Sequence, residues 1–81
     1  DVRYEEEYYD LHLKDAIQIS LPDLRAKLSE LDSLSKYITY CDTSRRSSVA
    51  AMIMSQSGFE VGYLKGGINN WPYDVIDLMG N

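Results

Sequence analysis

Cysteine, histidine, tryptophan and phenylalanine occur once each in these 81 residues, proline twice, and 8 basic side chains stand against 13 acidic ones. One cysteine cannot close an internal disulfide or complete a thiolate metal site. A reducing compartment is therefore expected, with a thiol that is either reactive or inert. The formal charge of −5 repels phosphate backbones, and Arg45-Arg46 is the one adjacent basic pair, so no nucleic-acid partner is expected. No apolar run approaches the roughly 18 residues of a membrane span. The opening DVRYEEEYYD is acidic where a signal peptide is basic and then apolar. We therefore expect a soluble, cytoplasmic chain that does not bind membranes. The lone His12 precedes a different segment from the cysteine, which leaves no obvious base for acyl transfer. A glycine-rich phosphate loop, a metal-ligand cluster and a dinucleotide fingerprint are also missing, and GYLKGG is too short to count as one. No cofactor and no metal are expected.

What remains is ordinary globular usage: 44% hydrophobic residues, 26% charged, and seven tyrosines as bulky packing groups. No repeat, low-complexity tract or linker divides the chain, so it forms one unit that buries only about 60–65% of its unfolded surface. Residues 16–19, AIQI, read as a short strand leading into SLPDLRAKLSEL, where Leu21, Leu24, Leu28 and Leu31 recur at helical spacing. Pro22 and Asp23 suit the first turn of that helix, and Asp32-Ser33 begins its exit loop. YITY (37–40) is a second strand. It is followed by a helix from about Arg46 whose apolar face is assigned to Val49, Met52 and Ile53 and whose end is capped by Gly58. EVGYL (60–64) is a third strand; Gly66-Gly67 then turns the chain into a short helix or turn carrying Ile68 and Trp71, ended by Pro72. Such alternation predicts an α/β domain with a parallel sheet covered on both faces, over residues 1–71. The remainder, 72–81, carries Val75, Ile76, Leu78 and Met79 and is assigned as a C-terminal docking tail.

Sites in parallel sheets form at the carboxyl ends of strands, where Cys41 stands. The stretch Cys41-Asp42-Thr43-Ser44-Arg45-Arg46 must turn back sharply into the next helix. Such a turn aims successive backbone N–H groups toward one point near the sulfur. With the positive end of the helix and two guanidinium groups added, the loop is expected to favour thiolate over thiol. The plainer reading is a small buried hydrophobe at a strand end, with Arg45 and Arg46 solvated and Ser47-Ser48 capping the helix.

Four segments in order, DVRYEEEYY, LHLKDAIQISLPDL, ITYCDTSRRSSVAA and SGFEVGYLKGGINNW, give the chain its resemblance to a rhodanese-like domain, the sulfurtransferase module, over residues 1–71. The resemblance implies a three-layer fold with a central parallel sheet. It also implies that Cys41 is the nucleophile, taking sulfur from thiosulfate or a similar donor as a persulfide and passing it to a thiol or cyanide. Asp42, Thr43, Ser44, Arg45, Arg46 and Ser47 would form the substrate-binding loop, its N–H groups stabilising the persulfide and Arg46, assisted by Arg45, orienting an anionic donor.

Departures from the family pattern bear on that assignment. Asp42 follows the cysteine, where a neutral or basic residue is common, and weakens the positive field. Leu11 and Asp15 replace glycines and Gln18 replaces an asparagine, changes that affect turns more than chemistry; His12 is assigned a structural role. In the family an upstream strand and helix precede Asp1. The expectation is therefore a piece of a longer chain, completed by an N-terminal segment, a swapped segment of a partner chain or a homodimer. Two other readings stay open: a non-catalytic regulatory or interaction module, and an arsenate reductase or phosphatase relative. Those last enzymes carry arginine six residues after the cysteine, whereas here Arg46 is fifth.

Overall fold

The computed structural model describes residues 1–77; Leu78 and Met79 of the assigned tail lie outside them. Helix α1 (Glu5–Asp10) starts with three glutamates in its first turn, where carboxylates complement the exposed amides. Glu7 also reaches back to the Tyr4 N–H at 3.0 Å. Strand β1 (Leu11–His12) follows, then an irregular stretch, α2 (Leu24–Lys27), β2 (Lys36–Thr39), α3 (Arg45–Gln56), β3 (Glu60–Tyr63) and β4 (Ile76–Asp77).

β2 and β3 pair in parallel, Lys36 opposite Glu60 through Thr39 opposite Tyr63, and α3 crosses between them and packs on both. The first residues extend this layer beyond β2. Val2 N–H donates to Tyr40 O at 3.0 Å, and Ile19 and Leu21 N–H donate to Asp1 and Val2 carbonyls at 2.9 and 3.1 Å. Residues 16–19 therefore lie beside the sheet but are not the regular strand expected of AIQI, because these few bonds to Asp1 and Val2 do not make a ladder. Asp15 holds φ 63°, the left-handed backbone that glycine adopts freely and aspartate tolerates. It is a turn at the position where the sequence departs from glycine.

The leucine helix is also modified. Its residues form a 3₁₀ turn (Leu21–Asp23), α2, and a second 3₁₀ turn (Leu28–Glu30), split where Lys27 sits at φ −107°, ψ 3°. The leucine spacing still works: Leu24 is buried, and Leu21, Leu28 and Leu31 pack around it. Around Leu24 the core gathers Val2, Ile19, Cys41, Ala50, Ile53, Met54 and Phe59.

The buried face of α3 is only in part the one assigned from its apolar residues: Ile53 is in the core as expected. Val49 and Met52 are 41% and 54% exposed, whereas Ser47, Ala50, Ala51, Ile53 and Met54 are buried. Ser47, Ala50, Ala51 and Met54 follow i, i+3, i+4, i+7 spacing. The helix is rotated to bring Ser47 to the sulfur of Cys41 (below), and its small residues let it approach the sheet closely. Gly58, at φ 93°, ends α3 as expected. Its N–H donates to Ser55 O and that of Phe59 to Met54 O, the paired bonds of a glycine-terminated helix.

The tail residues within the described range return to the body of the chain, with Ile76 and Asp77 pairing antiparallel with His12 and Leu11. His12 stacks on Tyr8 at 3.9 Å and its Nδ1 donates to Tyr8 O at 2.9 Å, contacts of a packing residue.

Under the sheet end lies a buried ionic network. Arg3 Nε and Nη2 donate to the two carboxylate oxygens of Asp1 at 3.0 and 2.7 Å. Tyr40 Oη donates to Asp1 Oδ2 at 2.9 Å and accepts Leu13 N–H at 3.0 Å. Arg3 also donates to Leu11 O. Every buried polar side-chain atom among the described residues has a partner, so this network satisfies the groups it buries.

Candidate active site

Cys41 lies two residues past β2 and four before α3, at the carboxyl end of a parallel strand and the amino end of a helix. Ser47 N–H donates to its Sγ at 3.3 Å, the Sγ–H donates to Ser47 Oγ at 3.4 Å, and Ser47 Oγ donates in turn to Ser44 O at 3.3 Å. Of the Asp42–Ser47 amides expected to converge on the sulfur, that of Ser47 is the one that does so among the described contacts. Thr43 N–H is taken by Asp42 Oδ1 at 2.9 Å. Replacing Ser47 with alanine keeps the N–H bond to sulfur and removes the hydroxyl partner. A loss of about 1 kcal/mol is expected, read in a urea titration, and an unchanged midpoint would show that the hydroxyl contact is energetically idle.

The loop is braced by the segment after β3, which the sequence reads as a short helix or turn and which forms a 3₁₀ turn over Ile68–Asn70. Ile68 N–H donates to Cys41 O at 2.9 Å and Asn69 N–H to Asp42 O at 3.1 Å, while Gly66 N–H donates to Ser44 Oγ at 2.8 Å. Gly67 sits at φ 64°, ψ −164°, a conformation essentially reserved for glycine. A Cβ there would lie 2.2 Å from Thr43 O and 2.5 Å from Cys41 O.

Arg46 does not stand free for an anion. Its Nη1 and Nη2 donate to the two carboxylate oxygens of Glu7 at 2.7 and 2.9 Å, Asp42 Oδ1 lies 3.2 Å from Nη2, and the guanidinium sits 5.8 Å from the Tyr4 ring centre. These guanidinium hydrogen bonds hold the Glu7 and Asp42 carboxyls below the usual carboxylate range, and in return push Arg46 upward. Sequence reading missed Glu7. The available signal was a glutamate three residues into a run of acidic residues, the pattern of a helix first turn. Arg45 and Thr43 are exposed, and Ser44 is half-buried.

Cys41 itself is 0% exposed, so a donor reaches its sulfur only when part of the loop or its surroundings moves. An apolar cavity of about 610 Å³ lined by Val2, Leu13, Ile17, Tyr37, Tyr63 and Trp71 does not include Cys41. Among the described residues no cluster of three or more His, Cys, Asp or Glu could hold a metal, and no helix is long and apolar enough to cross a membrane.

Comparison with known proteins accords with this geometry. The rhodanese-like domain family matches residues 1–73. A probable molybdopterin-synthase adenylyltransferase of Porphyra purpurea is 33% identical across the whole chain, which spans only about a fifth of that protein (21%). YtwF of Bacillus subtilis, which carries the name of a sulfurtransferase, is 28% identical over 88% of this chain and 69% of its own length. The crystal structure of a rhodanese-related protein from Thermoplasma volcanium superposes with a TM-score of 0.89 at 31% identity, over 93% of this chain and 78% of that one. With a cysteine loop between a parallel strand and a helix, and a family match covering nearly its full length, this chain belongs to the rhodanese-like domain family.

Proposed function

We propose that the chain is a sulfurtransferase that moves sulfane sulfur from thiosulfate or a similar donor to a thiol or cyanide, through a persulfide on Cys41. The observation that carries this reading is the Ser47 N–H directed at Cys41 Sγ from the first turn of α3 at 3.3 Å. A backbone donor there stabilises negative charge on the sulfur at no cost in reorganisation. The Cys41 thiolate attacks the outer sulfur of the donor, a new S–S bond forms, and the donor's own S–S pair leaves with sulfite or a thiolate. The acceptor then attacks the outer sulfur of the persulfide and restores the Cys41 thiolate. Splitting the transfer in two is the gain of covalent catalysis. Asp42, Thr43, Ser44, Arg45, Arg46 and Ser47 wall the site as its binding loop.

Mass spectrometry after incubation with a sulfur donor tests the reading. The chain is expected to gain ~32 Da on Cys41 and to lose it on adding cyanide, while Cys41→Ala gains nothing; equal background in both proteins would refute transfer. A second reading, a non-catalytic regulatory or interaction module, is favoured by the complete burial of Cys41. That reading would be left standing by such a result.

A further inference from the structure

Arg46 lies in the helix turn that faces the sulfur, beside the exposed Arg45, and two carboxylates already hold it. Glu7 grips it through both oxygens and Asp42 through one, so the three side chains together carry one net negative charge. The surroundings add to this. Glu5, Glu6 and Asp10 lie exposed on α1, the helix that supplies Glu7, and the chain as a whole is at −5. A dianion approaching the sulfur must either displace Glu7 from a bidentate pair or enter a region of its own sign, and like-charge approach lowers both affinity and encounter rate.

We propose that Glu7 and Asp42 are specificity-determining residues, which turn the site away from free dianionic donors such as thiosulfate and toward persulfides borne on thiols that carry a neighbouring positive charge. The inference rests on the sulfur-transfer reading and narrows its donor at that same site, from thiosulfate and similar compounds in general to cationic persulfides. With such a donor the Cys41 thiolate attacks the outer sulfur of R–S–SH. The new S–S bond forms as the old one breaks, its electron pair leaves as the R–S⁻ thiolate, and the proton stays on the transferred sulfur. No oxidant or reductant is consumed. The ammonium of the donor meets the carboxylates that a sulfonate end would have to avoid.

Two probes separate the classes: thiosulfate, and cysteamine persulfide, whose reacting R–S–SH form carries one positive charge on its ammonium. kcat/KM for each is measured with cyanide as acceptor, at low and high ionic strength, in the unaltered chain and in Asp42→Asn and Glu7→Gln. In the unaltered chain, kcat/KM for thiosulfate is expected to rise with salt as repulsion is screened, and that for cysteamine persulfide to fall. Asp42→Asn and Glu7→Gln are each expected to raise the thiosulfate-to-persulfide ratio about tenfold. A thiosulfate rate that falls with salt, or a ratio unmoved by both variants, overturns the donor assignment while leaving sulfur transfer intact. Failure of both probes to load sulfur on Cys41 overturns sulfur transfer itself. The salt dependence needs no variant, so a Glu7→Gln chain that loosens α1 does not blunt the test.

Discussion

Gly67→Ala is expected to lower stability by on the order of 3 kcal/mol and to abolish loading of Cys41 with sulfur. The added methyl would meet three backbone atoms rather than a yielding side-chain tip: Thr43 O at 2.2 Å, Cys41 O at 2.5 Å and the Asp42 carbonyl carbon at 2.6 Å. The φ of 64° disfavours any side chain even where space exists. Relief requires moving the turn away from the cysteine loop, which would break the Ile68-to-Cys41 and Asn69-to-Asp42 bonds that hold the loop carbonyls. Total stability for a chain of this size is on the order of 4–12 kcal/mol, so the loss would be plain in a urea titration. A variant with an unchanged midpoint and normal sulfur loading would show that the loop does not depend on this turn.

The 81-residue chain beginning at Asp1 is also expected to lose about 4 kcal/mol of stability as pH falls from 8 to 5. Burial, helped by the positive charge of Arg3, lowers its α-amino group from 8.0 to about 5, and the nitrogen is held against Ile17 O at 2.8 Å. A basic group depressed in the folded state stays neutral there while the unfolded chain takes up a proton. This contribution is therefore complete above pH 8, erodes through the window and is gone below about 5. Acetylating the amine replaces the ammonium with an amide, which keeps an N–H for Ile17 O and carries no charge, so the acetylated chain should be flat across the same window. Glu7 and Asp42, whose carboxyls are depressed by Arg46, stabilise above their ordinary range and lose that contribution only at more acid pH, outside this window. Equal slopes in urea titrations of free and acetylated chains would refute the assignment.

Alternation of short β-branched or aromatic runs with leucine or alanine spacing determined the α/β class, the strands expected at 37–40 and 60–64 and found at 36–39 and 60–63, the helix after the cysteine and its glycine stop. These are local patterns whose physics, side-chain period and backbone freedom, needs no distant partner. The cysteine's place at a strand end was legible for the same reason.

Three things needed the folded chain. The phase of α3 was misjudged because Val49 and Met52 are more apolar than Ser47 and Ala50, yet contact with Cys41 and close approach to the sheet outweigh hydrophobicity there. AIQI carried the composition of a strand, but a strand is defined by a ladder of partners, and the backbone of these residues bonds only to Asp1 and Leu13 among the described contacts. The state of Arg46 lay beyond any local rule, because its decisive neighbour, Glu7, stands 39 positions away and arrives only when α1 folds against the loop. Spacing alone names a charged residue as a candidate ligand. Whether that charge is free to bind or already neutralised depends on which opposite charge the tertiary fold sets beside it.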